Sequence, residues 1–284
     1  MTTTPGPVAG QGGLWRSALH GVRARVALAV LALVVLASLA GPLVYRVDPD
    51  TLDFARSAAA PSLQHPLGTD ESGRDVLSRL LVGGRVSLAV GLAAMLLSVL
   101  LGTTVGALAG LGRRWADALL MRLTDATLSI PTIFVVICVL TFLGPSIPTL
   151  VLAIGATSWM ALARLVRGEL LALREQDFVE AAASLGARPL SILRRHLLPH
   201  LWPVILVNAT LGMASAILTE SALSFLGLGV QPPAASWGNM LSGAQVTLFS
   251  QPWLAVYPGV LIMLTVIAAN LLGDALRDAL ASGQ

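Results

Sequence analysis

Six long apolar runs limit what this chain can become. They cover Val26 to Tyr45, Val86 to Leu111, about Ala116 to Leu143, about Thr149 to Leu165, Leu201 to Leu228, and Val256 to Leu276. A helix of roughly 20 such residues crosses the ~30 Å hydrocarbon core of a bilayer. Only 12% of the 284 residues are charged, about half the roughly 25% of a soluble domain. Lipid is therefore the solvent for most of the chain. The expected fold is an all-α membrane protein with six transmembrane helices.

The runs divide the chain. Residues 1–25 form a polar, Gly-rich tail, 26–46 the first transmembrane helix and 47–85 an extracytoplasmic loop. Residues 86–280 form a core of five further spans, with a charged loop at 173–200. Ser38-Leu39-Ala40 has the form of a signal-peptide cleavage site, but its run is longer than a usual signal core and reads as a membrane span. Gly102, Gly106 and Gly110 repeat at four-residue spacing, which lets helix backbones approach closely in lipid. Pro131 falls inside the third run and should kink it. Trp237, Phe249 and Trp253 lie in an uncharged connection, the aromatics expected at a membrane interface.

Arginine sets the orientation. The tail, the Arg113-Arg114 turn and the Arg164 to Arg195 loop are basic and alternate through six spans with acidic or uncharged connections. By the positive-inside rule both termini are cytoplasmic.

The residue inventory excludes several functions. Lysine is absent, and all 18 basic side chains are arginine. A phosphate-binding loop of the GxxxxGK[ST] type cannot form, so any nucleotide that drives this chain is bound elsewhere. A net charge of +3 without a basic, aromatic-interleaved stripe argues against nucleic acid. Cys138 is alone, so no intramolecular disulfide forms. His65, His196 and His200 fall on opposite membrane sides and cannot jointly hold a metal. No Ser/His, HExxH or paired-aspartate arrangement within the spans suggests an intramembrane enzyme.

The charged loop has its own pattern. In Asp177 to Leu185, Phe178, Ala181, Ala182 and Leu185 recur at helical spacing, with Glu180 off that stripe. Gly186 should stop this helix in a left-handed cap. Pro189 suits the first turn of a second helix, in which Leu190, Leu193 and Leu197 form one apolar line and Arg188, Arg194 and Arg195 lie off it. Pro199 should end it. Such a hairpin either lies on lipid headgroups or docks in a groove of a partner protein.

These residues carry a resemblance. Glu180-Ala181-Ala182, Gly186 and His196-Leu197-Leu198-Pro199 resemble the EAA loop of ABC importer permeases, with His196 where isoleucine is usual. Pro66-Leu67-Gly68-Thr69-Asp70, Gly73-Arg74-Asp75-Val76-Leu77-Ser78-Arg79, Gly84-Arg85-Val86-Ser87-Leu88, Met121-Arg122-Leu123-Thr124-Asp125, Glu220-Ser221-Ala222-Leu223-Ser224-Phe225-Leu226-Gly227-Leu228-Gly229 and Asn270-Leu271-Leu272-Gly273-Asp274 resemble the C-type permease of the dipeptide/oligopeptide/nickel family. The likeness spans about Val26 to Leu280.

The resemblance implies a type I ABC importer permease in the bacterial inner membrane, multi-pass and without a catalytic site. It implies a heterodimer with a B-type permease, one or two ABC ATPase subunits that bind ATP and Mg, and an extracytoplasmic substrate-binding protein. The implied cargo is a short peptide; nickel, glutathione and haem importers share the pattern. Glu180, Ala181, Ala182, Gly186, Leu190, Leu193, Arg194, His196 and Pro199 would couple to the ATPase. A self-contained secondary transporter, the contrasting class, would want inverted repeats with broken helices, and no internal repeat is visible.

Other ionisable residues are candidates from their positions. Glu220 lies within the outer half of the fifth span, where a charge is costly; it lines the path or bonds the paired permease. Arg122 and Asp125, three apart, should pair along one helix. Asp70, Arg74 and Asp75 organise the outer loop or meet the binding protein.

Overall fold

The structure, a computed structural model, describes residues 21–282; of the tail read from residues 1–25, residues 1–20 lie outside that range and 22–25 already belong to the first helix. Among these residues there is no strand, only an isolated bridge between Thr69 and Asp75. Helix α1 is Val22–Val44 and α2 is Val76–Leu111. Helices α3 (Arg114–Leu128), α4 (Thr132–Leu143), α5 (Ile147–Gly155) and α6 (Met160–Arg174) follow. Next come the short α7 (Asp177–Ser184) and α8 (Pro189–Ile192), then a wide π turn over Leu193–Leu197 that runs into α9 (Leu198–Phe225). Helix α10 is Trp237–Gly243 and α11 is Trp253–Ser282.

Six crossings result only if two bent pairs each count as one span. The pair α3–α4 turns by 83°, far more than the kink expected at Pro131. Pro131 has left the helical region (φ −57°, ψ 121°) and caps α4, and a proline also disfavours helical geometry in the residue before it. The fourth span continues past Leu165 to Arg174 after a 40° bend between α5 and α6. There the Thr157 and Ser158 hydroxyls donate back to the carbonyls of Ala153 and Ile154, each at 2.7 Å. Such bonds compete with the helical N–H partners and bend helices.

Helix α2 starts ten residues before the apolar run that announced it. Asp75 caps it, its carboxylate accepting the Ser78 N–H at 2.7 Å, so residues 76–85 are helix rather than loop. Its 36 residues make a rod of about 54 Å at 1.5 Å per residue, longer than the bilayer core. Its glycines let α2 serve as the central post. Gly102, Gly106 and Gly110 press on α6; a Cβ on Gly106 would stand 2.6 Å from the Ala163 carbonyl oxygen. Gly91 presses on Ile217 of α9, and Gly84 on Ser38 of α1.

Candidate functional site

The charged hairpin and the connections 45–75 and 226–252 occupy opposite ends of the bundle. At the hairpin end, α7 places Asp177 and Glu180 in its first turn, where the helix dipole favours negative charge. Gly186 has φ +80°. The Ala187 N–H reaches the Ala182 carbonyl at 3.1 Å, the six-to-one bond of a Schellman terminus.

The stripe over Phe178, Ala181, Ala182 and Leu185 does not face inward as one line. Val179 is buried and Ala182 half-buried, whereas Phe178, Ala181 and Leu185 are exposed, Leu185 at 89%. Glu180 is exposed as well. The Phe178 ring stacks on His200 at 5.2 Å between centroids and tilts toward His196 at 6.4 Å. On the second arm Ile192 and Leu197 are buried, Leu193 is half-buried and Arg194 and Arg195 are exposed; the Leu190 side chain lies outside the described residues. Pro199 does not end this arm. It sits in the first turn of α9, and the chain passes through it as helix. The preceding π turn explains how, because its wider ring accommodates a residue that cannot donate to the carbonyl four positions back.

The inward residues Val179, Ile192 and Leu197 join Leu162, Val166 and Leu170 of α6 in one apolar cluster. Helix α6 is in turn tied to its neighbours. The Arg167 guanidinium grips the Asp117 carboxylate of α3 with two bonds of 2.5 and 2.7 Å. Arg174 donates to the Gly110 carbonyl at 2.8 Å, filling an acceptor that the C-terminus of α2 leaves open. Asp125 pairs with Arg164 at 2.5 Å, not with Arg122, which is exposed and has no ion pair among the described residues. The bend after α3 brings its outer face against α6, so a cross-helix partner wins over the one three residues away.

At the opposite end Asp70, Arg74 and Asp75 fold the loop. Asp70 accepts from Arg74 Nε at 2.7 Å and from the N–H groups of Ser72 and Arg74. Buried Arg79 bonds Asp50 at 3.1 Å and lies 3.7 Å from Asp70. Asp75 receives the Tyr45 hydroxyl at 2.9 Å and lies 2.8 Å from His65 Nδ1. Burial, and then the bond to Asp75, pushes the Tyr45 phenol up to about 12. A cavity of about 310 Å³ opens beside Glu71, Arg74 and Arg79, with Gln231 and Asn239 across from them.

Glu220, offered by the sequence to the path or to the paired permease, is wholly buried within this chain. Its carboxylate accepts from Ser224 at 2.7 Å, Ser87 at 3.0 Å and Ser221 at 3.4 Å. Trp237 is not an interfacial aromatic: it is 0% exposed, and its indole N–H donates to the Leu80 carbonyl at 3.1 Å. The Ser236–Asn239 spacing that caps α10 was the available signal for a buried turn here. Ser87 and Ser224 gave none, since hydroxyls are common in membrane helices. Halfway along the bundle, two adjoining cavities of about 250 and 310 Å³ share Ile154, Ser158, Ala161 and Ser215. Asn208, Ser98 and Thr219 also line them, and no charged side chain does. Among the described residues no three His, Cys, Asp or Glu side chains gather to hold a metal.

Residues 102–283 match the family described as binding-protein-dependent transport system inner membrane component. The chain is 42% identical over 276 residues to a putative peptide permease protein of Brucella suis, covering 95% of this chain and 91% of that one. It is 41% identical over 267 residues to the glutathione transport system permease protein of Pectobacterium atrosepticum (94% and 89%). It is 39% identical over 273 residues to the oligopeptide transport system permease protein of Haemophilus influenzae (94% and 88%). Among solved structures, inward-facing conformations of the MetNI methionine ABC transporter align with a TM-score of 0.54 at 20% identity, over 69% of this chain and 94% of that one. At that identity the likeness bears on the fold alone.

Proposed function

Because the chain belongs to the family of binding-protein-dependent transport system inner membrane components, we propose that it is the C-type permease subunit of an ABC importer for short peptides. It is a multi-pass inner-membrane protein without catalysis of its own. As a member of such a system it works with an ATPase and a substrate-binding protein. The finer assembly we infer is a heterodimer with a B-type permease, one or two ATPase subunits that bind ATP and Mg, and a binding protein on the extracytoplasmic face. The peptide cargo rests on the relatives named for peptides and oligopeptides. The relative named for glutathione, itself a tripeptide, fits the same class.

The observation that carries the reading is the hairpin. One face is bolted to α6 by Val179, Ile192 and Leu197; the other offers Phe178, Ala181 and Leu185 to solvent. A partner groove takes up such a face. Arg113, Arg114, Arg174, Arg188, Arg194 and Arg195 gather at this end, which supports a cytoplasmic side for it by the positive-inside rule. Force delivered to the hairpin then passes through α6 to α2 along the glycine contacts and the Arg174–Gly110 bond. We infer that a transported peptide passes the two uncharged cavities around Ser158 and Ser215. Their hydroxyls offer hydrogen bonds without choosing a side-chain charge, which leaves selectivity to the binding protein.

The test is assembly and coupling. Gly186→Pro, or deletion of residues 188–196, should abolish co-purification of the ATPase subunit while membrane insertion persists. Survival of both co-purification and substrate-stimulated ATP hydrolysis would remove the coupling role. Uptake by this chain alone in proteoliposomes, driven by an ion gradient, would instead favour a secondary transporter.

A further inference from the structure

Two hydrogen-bond relays end on the Glu220 carboxylate, one on each oxygen. The Trp237 N–H donates to Ser87 Oγ at 3.2 Å, and Ser87 donates to Oε2 at 3.0 Å. The Val230 N–H donates to Ser224 Oγ at 3.0 Å, and Ser224 donates to Oε1 at 2.7 Å. Ser87 belongs to α2, Glu220 and Ser224 to α9, and Val230 and Trp237 to the connection above them. That connection is itself braced. Asn239 donates to the carbonyls of Val230 and Ala234 and accepts from the Ser236 N–H. Gly238 lies against Ser221, and Gly84 against the Trp237 ring. Residues 230–243 thus form one stiff cap, fastened at Val230 and at Trp237 to a single buried carboxylate. Glu220 makes no ion pair among the described residues, so hydroxyl donors alone satisfy it. Removing that acceptor would strand buried donors that have no other partner, which is more damaging than losing an exposed bond.

We propose that Glu220 is the latch of the extracytoplasmic cap: a positioning residue that holds residues 230–243 on α2 and α9, so that the cap moves with these spans when the importer switches. The last clause rests on the transport reading; the latch itself does not.

The test uses the complete importer in membranes without nucleotide. Exposed Cys138 is replaced by serine, and Ala235, 2% exposed, becomes the reporter through Ala235→Cys. Labelling by a membrane-impermeant maleimide should be slow with Glu220 and at least about tenfold faster with Glu220→Gln, whose amide leaves one relay without its acceptor. Ser87→Ala and Ser224→Ala should each accelerate labelling a few-fold. Ser224→Ala added to Glu220→Gln should add less than it does alone, because the two residues share one relay. The rate of peptide uptake should fall with the labelling change while the ATPase subunit still co-purifies. Lost uptake with labelling unchanged within twofold would mean that Glu220 acts on the path and not on the cap, and would overturn the proposal. So would labelling and uptake that both stay unchanged. If Glu220→Gln fails to insert, the two serine variants decide by the same labelling criterion. An unaltered importer that takes up no peptide would defeat the transport reading and leave the latch to the labelling result.

Discussion

Arg85 of α2 donates from Nε to the carbonyl oxygen of Ser38 in α1 at 2.8 Å. Position 42 would normally supply the helical N–H for that carbonyl, but Pro42 has none. A second bond, from Nη2 to the Leu39 carbonyl at 2.6 Å, fixes the guanidinium. An arginine in one span thus repairs the defect that a proline leaves in another. Arg85→Ala should destabilise the detergent-solubilised protein by about 1–3 kcal/mol, the scale of a stranded buried acceptor. Pro42→Ala returns the N–H. The double variant should therefore melt above Arg85→Ala alone. A double variant that melts no higher would show that Arg85 serves α1 in some other way.

The close crossing of α2 on α6 leaves no room for a side chain. Gly106→Val should destabilise by about 1–3 kcal/mol, as overpacking does, because its Cβ would meet the Ala163 carbonyl and the Val166 side chain. Gly168 on α6 is the control, because a Cβ there would meet nothing within 4 Å. Gly168→Ala should raise stability by up to about 1 kcal/mol through helix propensity. Thermal melts of both variants in the same detergent check the contrast.

Arg164 and Arg167 of α6 should differ in weight. Arg167 and Asp117 form two bonds with side chains 33% and 20% exposed, whereas Arg164 and Asp125 are 50% and 58% exposed. Asp117→Asn should lower stability by about 1 kcal/mol and Asp125→Asn by less than about 0.5 kcal/mol, as for exposed pairs. Arg122→Ala should leave stability unchanged, since Asp125 does not depend on it. A loss on Arg122→Ala equal to that on Asp125→Asn would restore the intrahelical pairing.

What the sequence revealed and what it hid follow from the same physics. Lipid demands length and apolarity, so the runs announce the spans. Direction leaves no such mark: residues 116–143 read as one run although the chain turns by 83° inside it. Gly186 was legible because a helix end needs a left-handed residue. The inward face of α7 was not, because eight residues carry two apolar lines. Val179 is the one that meets Leu162, Val166 and Leu170, which arrive from another helix. Glu220 stood out as a buried charge, but its partner Ser87 lies 133 residues away, and nothing local marks that hydroxyl.

Pro199 gives the last prediction. The wide turn at Leu193–Leu197 is how α9 runs through a residue that cannot donate to the Arg195 carbonyl. Pro199→Ala restores that donor and removes the reason for the extra residue in the turn. If the turn tightens to α geometry, everything before it rotates by about 100°, one residue's worth of a 3.6-residue turn. Val179 and Ile192 then leave the apolar cluster on α6, and the Phe178, Ala181 and Leu185 face turns away from the proposed partner groove. Because Val179 and Ile192 lose their burial, the variant should melt below the parent, and the importer carrying it should hydrolyse ATP with little uptake. Parental coupling at unchanged stability would show that the π turn persists without its proline and that the apolar cluster, not Pro199, sets the angle of the hairpin.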